Sequence, residues 1–264
     1  MIVLPMAGLS SRFARAGYDR PKYMLPLAGR PVLAHVVAGF SEVFGAEPIL
    51  FVCRDVAGPD GQGTPDFVRA TCAAMGLGPD DARIAVLDAP TDGQAETVAA
   101  GLDAAGVDDA TPVTIFNIDT FHAPGGFRHP ARAAGDAFDG AAVDGWLEVF
   151  RGPGAHWSFV APAPGAAGTA ERRAARVAEK VRISDLCSTG LYHFRDAGLF
   201  RSLYAPVAGA DPAALQGGER YVAPLYQAAI EAGRDVRWTE IARDAIHFCG
   251  TPDEYEALRR EMEA

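Results

Sequence analysis

The residues best suited to chemistry lie near the N-terminus, where an apolar run over 2–6 opens into Ala7-Gly8-Leu9-Ser10-Ser11-Arg12-Phe13 and then Pro21-Lys22-Tyr23-Met24-Leu25-Pro26-Leu27. A glycine and two serines directly after a strand let backbone N–H groups and hydroxyls approach an anion closely. Arg12 can hold two phosphate oxygens as a fork, and Lys22 adds a second cation. This is phosphate chemistry. The loop matches neither the dinucleotide fingerprint G-x-G-x-x-G nor the P-loop G-x-x-x-x-G-K-[ST]. The competing reading makes Arg12 and Lys22 solvated charges on a long loop, but long loops in compact domains usually carry function.

A cradle of this kind needs rigid elements behind it. The run over 2–6 reads as a strand buried on both faces. Val32, Leu33, Val36, Val37 and Phe40 recur at helical spacing over 31–44, with Pro31 first, where its missing N–H costs nothing. Strands over 48–53, 83–87 and 112–118 alternate with helices over 64–75 and 94–105, which predicts an α/β fold, a mostly parallel sheet with helices on both faces. After Phe121 the pattern changes to strand-like segments over 141–150, 156–161, 176–183 and 187–194, separated by turns such as Gly152-Pro153-Gly154. These predict a mixed or antiparallel extension on one side of the sheet. The Ala/Gly/Pro-rich stretch 163–174 reads as a mobile loop, and helices return over 219–232 and 252–262. No repeat or linker forces a boundary, so a single domain over 1–264 is expected.

Composition narrows the partners. The chain has 264 residues, 49% hydrophobic and 22% charged, the balance of an ordinary globular protein. With 24 Lys+Arg against 34 Asp+Glu the net charge is −10, which argues against nucleic acid, since that partner needs a basic face. Local Arg and Lys can still hold a small anion. No apolar run approaches a membrane span, and 2–6 opens as a strand without a basic leader, so a cytoplasmic protein is expected. Cys53, Cys72, Cys187 and Cys249 are scattered without a CxxC pair and read as small core residues.

Gly8-x-Ser10-Ser11-Arg12, followed by Pro21-Lys22-x-x-Leu25-Pro26-Leu27-x-Gly29-x-Pro31, resembles the signature of the nucleotidyltransferases that make activated sugars and related metabolites. Gly93-Gln94-Ala95 looks like the base-binding turn of that family, Asn117-Ile118-Asp119 like its metal-binding strand end, Glu179-Lys180 like its acceptor-binding pair, and Ser188-Thr189-Gly190-Leu191-Tyr192 like the strand that follows. Within the family the likeness is to the capsule-cluster branch, which includes cytidylyltransferases that act on phosphoglutamine. The stretch Pro21 to Leu27, with Pro31, His35 and Phe40 following, is also similar to cytidylyltransferases of isoprenoid synthesis. The resemblance implies a three-layer, Rossmann-like fold of the GT-A type with the mixed extension on the acceptor side. It implies transfer of a nucleoside monophosphate from an NTP, CTP foremost, to a small phosphorylated acceptor such as a sugar phosphate, phosphoglutamine or phosphocholine, with pyrophosphate leaving, for capsule or other surface polysaccharide. Arg12, Lys22 and Asp119 would be catalytic, Asp119 would hold Mg²⁺, Ala7, Gly8, Ser10, Ser11, Gly93 and Gln94 would bind the nucleotide, and Glu179 with Lys180 would bind the acceptor.

One position departs from the family pattern. Many relatives carry a second metal-binding Asp shortly before a late Gly-Thr-Pro, and here that position is Phe248. Asp244, Glu219, or phosphates and water are left to complete the Mg²⁺ shell. Plainer readings stand beside these: Asp119 as a strand-end turn carboxylate, Glu179-Lys180 as a surface ion pair, His35 as a packing residue, and Trp146 and Trp157 as core instead of acceptor walls. His122 and His129 flank Pro124-Gly125-Gly126 just beyond Asp119, where either could face substrate. Two rival functions remain: a metal-dependent glycosyltransferase of similar fold, and a non-catalytic nucleotide-binding protein. The sequence leaves the oligomeric state, monomer or homo-oligomer, open.

Overall fold

Ile2, Val3 and Leu4 are fully buried, as are Ile49 to Cys53, because both faces of each strand meet side chains and neither run carries a charge before its end. A computed structural model describes residues 1–128, 143–165 and 172–264 of the chain. The N-terminal elements are β1 (Ile2–Pro5), α1 (Ser11–Arg15), β2 (Pro26–Leu27), β3 (Arg30–Pro31), α2 (Val32–Gly39), β4 (Ile49–Arg54), α3 (Thr64–Ala74) and β5 (Ala82–Leu87). Then come α4 (Gln94–Ala104), β6 (Val113–Ile115), β7 (Thr120–His122), β8 (Gly145–Arg151), β9 (Ser158–Pro162), β10 (Ala174–Glu179) and β11 (Leu186–Phe194). The chain finishes with α5 (Ala197–Ala208), α6 (Ala223–Glu231), β12 (Val236–Glu240), β13 (Ile246–Phe248) and α7 (Pro252–Met262).

Contacts divide the chain into two compact units: Met1–Thr91 with Phe116–Phe127 and Asp244–Ala264, and Asp92–Ile115 with Arg128–Arg243. In the first unit β1, β4 and β5 run parallel, Ile2 beside Ile49 and Ile49 beside Ala82. The Phe116 N–H donates to the Val3 carbonyl at 3.0 Å, which lays the approach to Asp119 against β1. β7 pairs antiparallel with β13. Helix α7 starts from a capping box, Thr251 with Glu254, has Pro252 in its first turn, and carries Arg259 and Arg260 in its last turn, where the helix dipole favours cations.

The second unit is built on β11, buried along its whole length. It pairs antiparallel with β6, β8 and β9, and its register against β8 shifts between Ser188 and Tyr192. β10 pairs antiparallel with β9, and β12 runs parallel to β8. The α/β class with its mainly parallel sheet agrees with expectation, and the mixed extension lies in this unit.

Several boundaries differ from the sequence reading for identifiable reasons. The helix expected over 31–44 stops at Gly39, where a Cβ would stand 3.6 Å from the His122 side chain and backbone, and a 3₁₀ turn follows. The helix expected from 219 starts at Ala223 because Arg220 is drawn into main-chain pairing: its N–H donates to the Asp92 carbonyl at 2.9 Å and its carbonyl accepts from Ala95 N–H at 2.8 Å. The sequence pattern does not announce α1, β2, β3, α5, β7, β12 or β13. His129, residues 141–142 of an expected strand and 166–171 of the expected mobile loop lie outside the described residues. Trp146 is fully buried core, and His35 is buried with its Nε2 2.8 Å from the Leu27 carbonyl oxygen, which fits the packing reading; burial is the main force lowering its pKa. The four cysteines are free and buried. Among the described residues no helix is long and apolar enough to cross a membrane.

Candidate active site

In the first unit the chain leaves β1 with Ala7 buried and then surfaces, Gly8 and Leu9 being exposed. The Ala7 carbonyl accepts from Arg54 Nε at 2.9 Å, which fixes the loop at its root. Ser10 takes a left-handed φ of 49°, and its Oγ accepts from the Lys22 N–H at 3.5 Å, joining the two halves of the motif. The N–H groups of Gly8, Leu9 and Ser10 donate to nothing among the described residues, and the exposed Arg12 guanidinium has no carboxylate partner there. Donors left without an internal acceptor at the mouth of a strand are what an anion needs.

Lys22 Nζ donates to Asp119 Oδ2 at 2.5 Å, and both side chains keep 22% of their surface. The same carboxylate is closely backed: a Cβ on Gly250 would stand 2.9 Å from Asp119 Oδ2 and 3.5 Å from Glu254 Oε2. The Cys249 N–H donates to the Asp119 carbonyl at 2.9 Å, and burial pushes the Cys249 thiol far up, so it is inert packing. Phe248 stands opposite Thr120 in the ladder of β13 with β7, and Asp244 is exposed. Among the described residues no group of three or more His, Cys, Asp or Glu side chains gathers around a metal position. A single carboxylate such as Asp119 is a ligand Mg²⁺ can take when phosphate oxygens and water fill its remaining positions.

In the second unit Gly93 has φ 141° and ψ 172°, a region open essentially to glycine, and it leads directly into α4 at Gln94. Tyr192 and Ser158 share a hydrogen bond at 3.2 Å, and Ser158 Oγ also donates to Glu179. The Glu179 carboxyl is buried, and its pKa is raised by burial against the opposing pull of Ser158 and the Lys180 charge. Lys180 is exposed, takes a left-handed φ of 54°, and donates from Nζ to the Tyr221 hydroxyl with its ammonium 4.3 Å from the ring centroid. Such a backbone costs roughly 1–2 kcal/mol outside glycine, so the turn is imposed by its surroundings, here Lys180 N–H to the Trp157 carbonyl at 2.9 Å. Glu179 and Lys180 are therefore not a surface ion pair; one faces inward to a serine and the other outward to a tyrosine.

The profile of the MobA-like NTP transferase domain matches residues 2–176. The chain belongs to this family. It is an enzyme of the NTP transferase type, and the match spans both the Gly8 to Lys22 loop and Asp119. A search of curated proteins found no match. Among solved structures the chain is similar to the nucleoside-diphosphate-sugar pyrophosphorylase from Vibrio cholerae RC9, with 41% identity, coverage of 98% of this chain and 100% of that one, and a TM-score of 0.85. It shares the fold of the inositol-1-phosphate CTP transferase from T. maritima, with 15% identity, coverage of 99% of this chain and 95% of that one, and a TM-score of 0.70.

Of the residues singled out in sequence, Ala7, Gly8, Ser10, Ser11, Arg12, Lys22 and Asp119 fall in the first unit of this NTP transferase and Gly93, Gln94, Glu179 and Lys180 in the second. Sequence reasoning missed Gly250 behind Asp119, Ser158 on Glu179, and the Arg220-Tyr221 pair. Only Gly250 carried a signal, its place in Gly250-Thr251-Pro252.

Proposed function

We propose that this NTP transferase moves a nucleoside monophosphate from an NTP to a small phosphorylated acceptor, a sugar 1-phosphate foremost, and releases pyrophosphate. The observation that carries the reading is the half-buried Lys22–Asp119 pair beside a loop whose N–H donors are unused, and whose Arg12 has no carboxylate partner, among the described residues. Similarity at 41% identity to a nucleoside-diphosphate-sugar pyrophosphorylase supports the acceptor class, because that name describes the same equilibrium approached from the sugar-nucleotide side.

In the forward direction an acceptor phosphate oxygen attacks the α-phosphorus in line. A new P–O bond forms, the bond from the α-phosphorus to its bridging oxygen breaks, and the electron pair leaves with pyrophosphate. No covalent enzyme nucleophile is required, so the residues contribute position and charge. The Gly8 to Ser11 donors and Arg12 hold the triphosphate, Lys22 neutralises charge that builds on the leaving oxygens, and Lys180 receives the acceptor phosphate. Mg²⁺ would be held by Asp119 and would supply further neutralisation of the triphosphate.

CTP is the proposed donor and surface polysaccharide the proposed destination. The likeness of residues 21–27 to cytidylyltransferases supports the base, with Gly93 and Gln94 proposed to read its edge. A mismatched base strands a buried donor or acceptor at ~1–3 kcal/mol, enough for about tenfold preference. The test incubates the protein with each of the common NTPs, Mg²⁺ and a panel of sugar 1-phosphates, phosphocholine and phosphoglutamine, and reads pyrophosphate. Release dependent on both substrates supports the reading. Hydrolysis or transfer from a nucleotide sugar without pyrophosphate would favour a glycosyltransferase. A kcat/KM for CTP below that for another NTP removes the base assignment alone.

A further inference from the structure

Lys180 directly follows β10 with an exposed side chain, and among the described residues no carboxylate stands within ion-pair distance of its ammonium. The adjacent Glu179 is turned into the unit toward Ser158, and its N–H donates to Gln216 Oε1 at 2.9 Å. What touches the ammonium is Tyr221, by its hydroxyl and by its ring face. The ring is itself held: a Cβ on Gly217, at φ 79°, would stand 2.9 Å from Tyr221 Cε2 and 3.2 Å from Glu179 Cγ. The preceding residue, Arg220, is anchored through its main chain to Asp92 and Ala95, and its buried guanidinium donates to the Val207 and Ala210 carbonyls.

We propose that Tyr221 is a positioning residue of the acceptor subsite, holding the Lys180 ammonium in place with a phenol and a ring face while leaving its charge for a phosphomonoester. A carboxylate in the same place would neutralise the lysine before the phosphate arrived, whereas a neutral hydroxyl and an aromatic face orient a cation without cancelling it. The ring and backbone supports make Tyr221 the fixed partner and the long lysine chain the one that is steered, which spares the rotamer entropy that Lys180 would otherwise lose on binding. The inference rests on the acceptor reading of Lys180 given above.

Initial rates of pyrophosphate release, with glucose 1-phosphate, phosphocholine and phosphoglutamine as acceptors, test it in the wild-type protein, Tyr221→Phe, Lys180→Met and the double variant. Tyr221→Phe keeps the ring and loses the hydroxyl. Its acceptor KM should rise about tenfold, as for loss of one charge-assisted hydrogen bond, while kcat and the KM for the NTP stay within about twofold. In the Lys180→Met background the same substitution should change the acceptor KM less than about twofold, since the hydroxyl acts only through that ammonium. An equal rise in both backgrounds, or no rise in either, overturns the proposal and leaves nucleotidyl transfer standing. If no acceptor is turned over, the transfer reading fails, and calorimetric titration with inorganic phosphate decides on Tyr221: weaker binding in Tyr221→Phe only when Lys180 is present supports the role, and absence of phosphate binding to the wild type overturns it.

Discussion

Gly93→Ala should be among the most damaging single-methyl changes in this chain. The added Cβ would stand 2.6 Å from both the N and O atoms of Arg220 and 2.8 Å from its carbonyl carbon. Those are backbone atoms, and they cannot retreat easily because the Arg220 side chain is buried and bonded to the Val207 and Ala210 carbonyls. The φ of 141° adds ~1–3 kcal/mol of strain for any residue with a Cβ. Relief by opening the turn would break the two hydrogen bonds that join Arg220 to Asp92 and Ala95, at ~1 kcal/mol each and more if a group is left buried and unsatisfied. Opening the turn costs about 2 kcal/mol, and a turn that stays closed keeps the ~1–3 kcal/mol of strain and adds the clash with the Arg220 backbone. Urea denaturation measures the loss, and NTP titration tests whether the turn still binds a base. A stability change under about 0.5 kcal/mol, the scale of an ordinary surface substitution, together with unchanged NTP affinity would refute the close-approach argument.

Asp119→Asn is nearly isosteric but cannot offset a cation, so turnover should largely vanish while the melting temperature stays close to wild type; near-normal rates at ordinary Mg²⁺ would reject Asp119 as the metal residue. Arg12→Ala and Lys22→Ala should each lower kcat/KM by about 10²–10³, and the double variant should fall well short of the product because both act on one triphosphate. A loss under about threefold in either would remove that residue from the phosphate cradle. Burial raises the Glu179 pKa above its model-compound value of 4.5, so between that value and the folded one the native state holds more protons than the unfolded chain. Stability therefore falls as pH rises through that window, and Glu179→Gln should flatten the fall; thermal midpoints between about pH 4 and about pH 7 check this, and an unchanged slope would contradict it.

The elements read well from sequence are those whose cause is local. Helix α7 matches its expected span of 252–262 because Thr251, Pro252 and Glu254 form the cap and lie within four positions of one another. The strand–loop motif from Ile2 to Lys22 was legible for the same reason: an apolar run, small residues and two cations follow in order along a short stretch. What tertiary structure decided is which distant groups meet. Lys22 and Asp119 lie 97 positions apart, and nothing near either one states that Asp119 would be carried beside β1 to receive that ammonium. The residues after Gly218 look helical by composition, yet Glu219 is extended and Arg220 pairs its main chain with Asp92 and Ala95, far away in sequence, partners that a helix there would forfeit. Glu179-Lys180 likewise looks like an ion pair on paper. The strand end and the left-handed turn at Lys180 send the two side chains to opposite environments, a serine in the interior and a tyrosine at the surface, and that separation depends on backbone direction and burial that one-dimensional spacing does not encode.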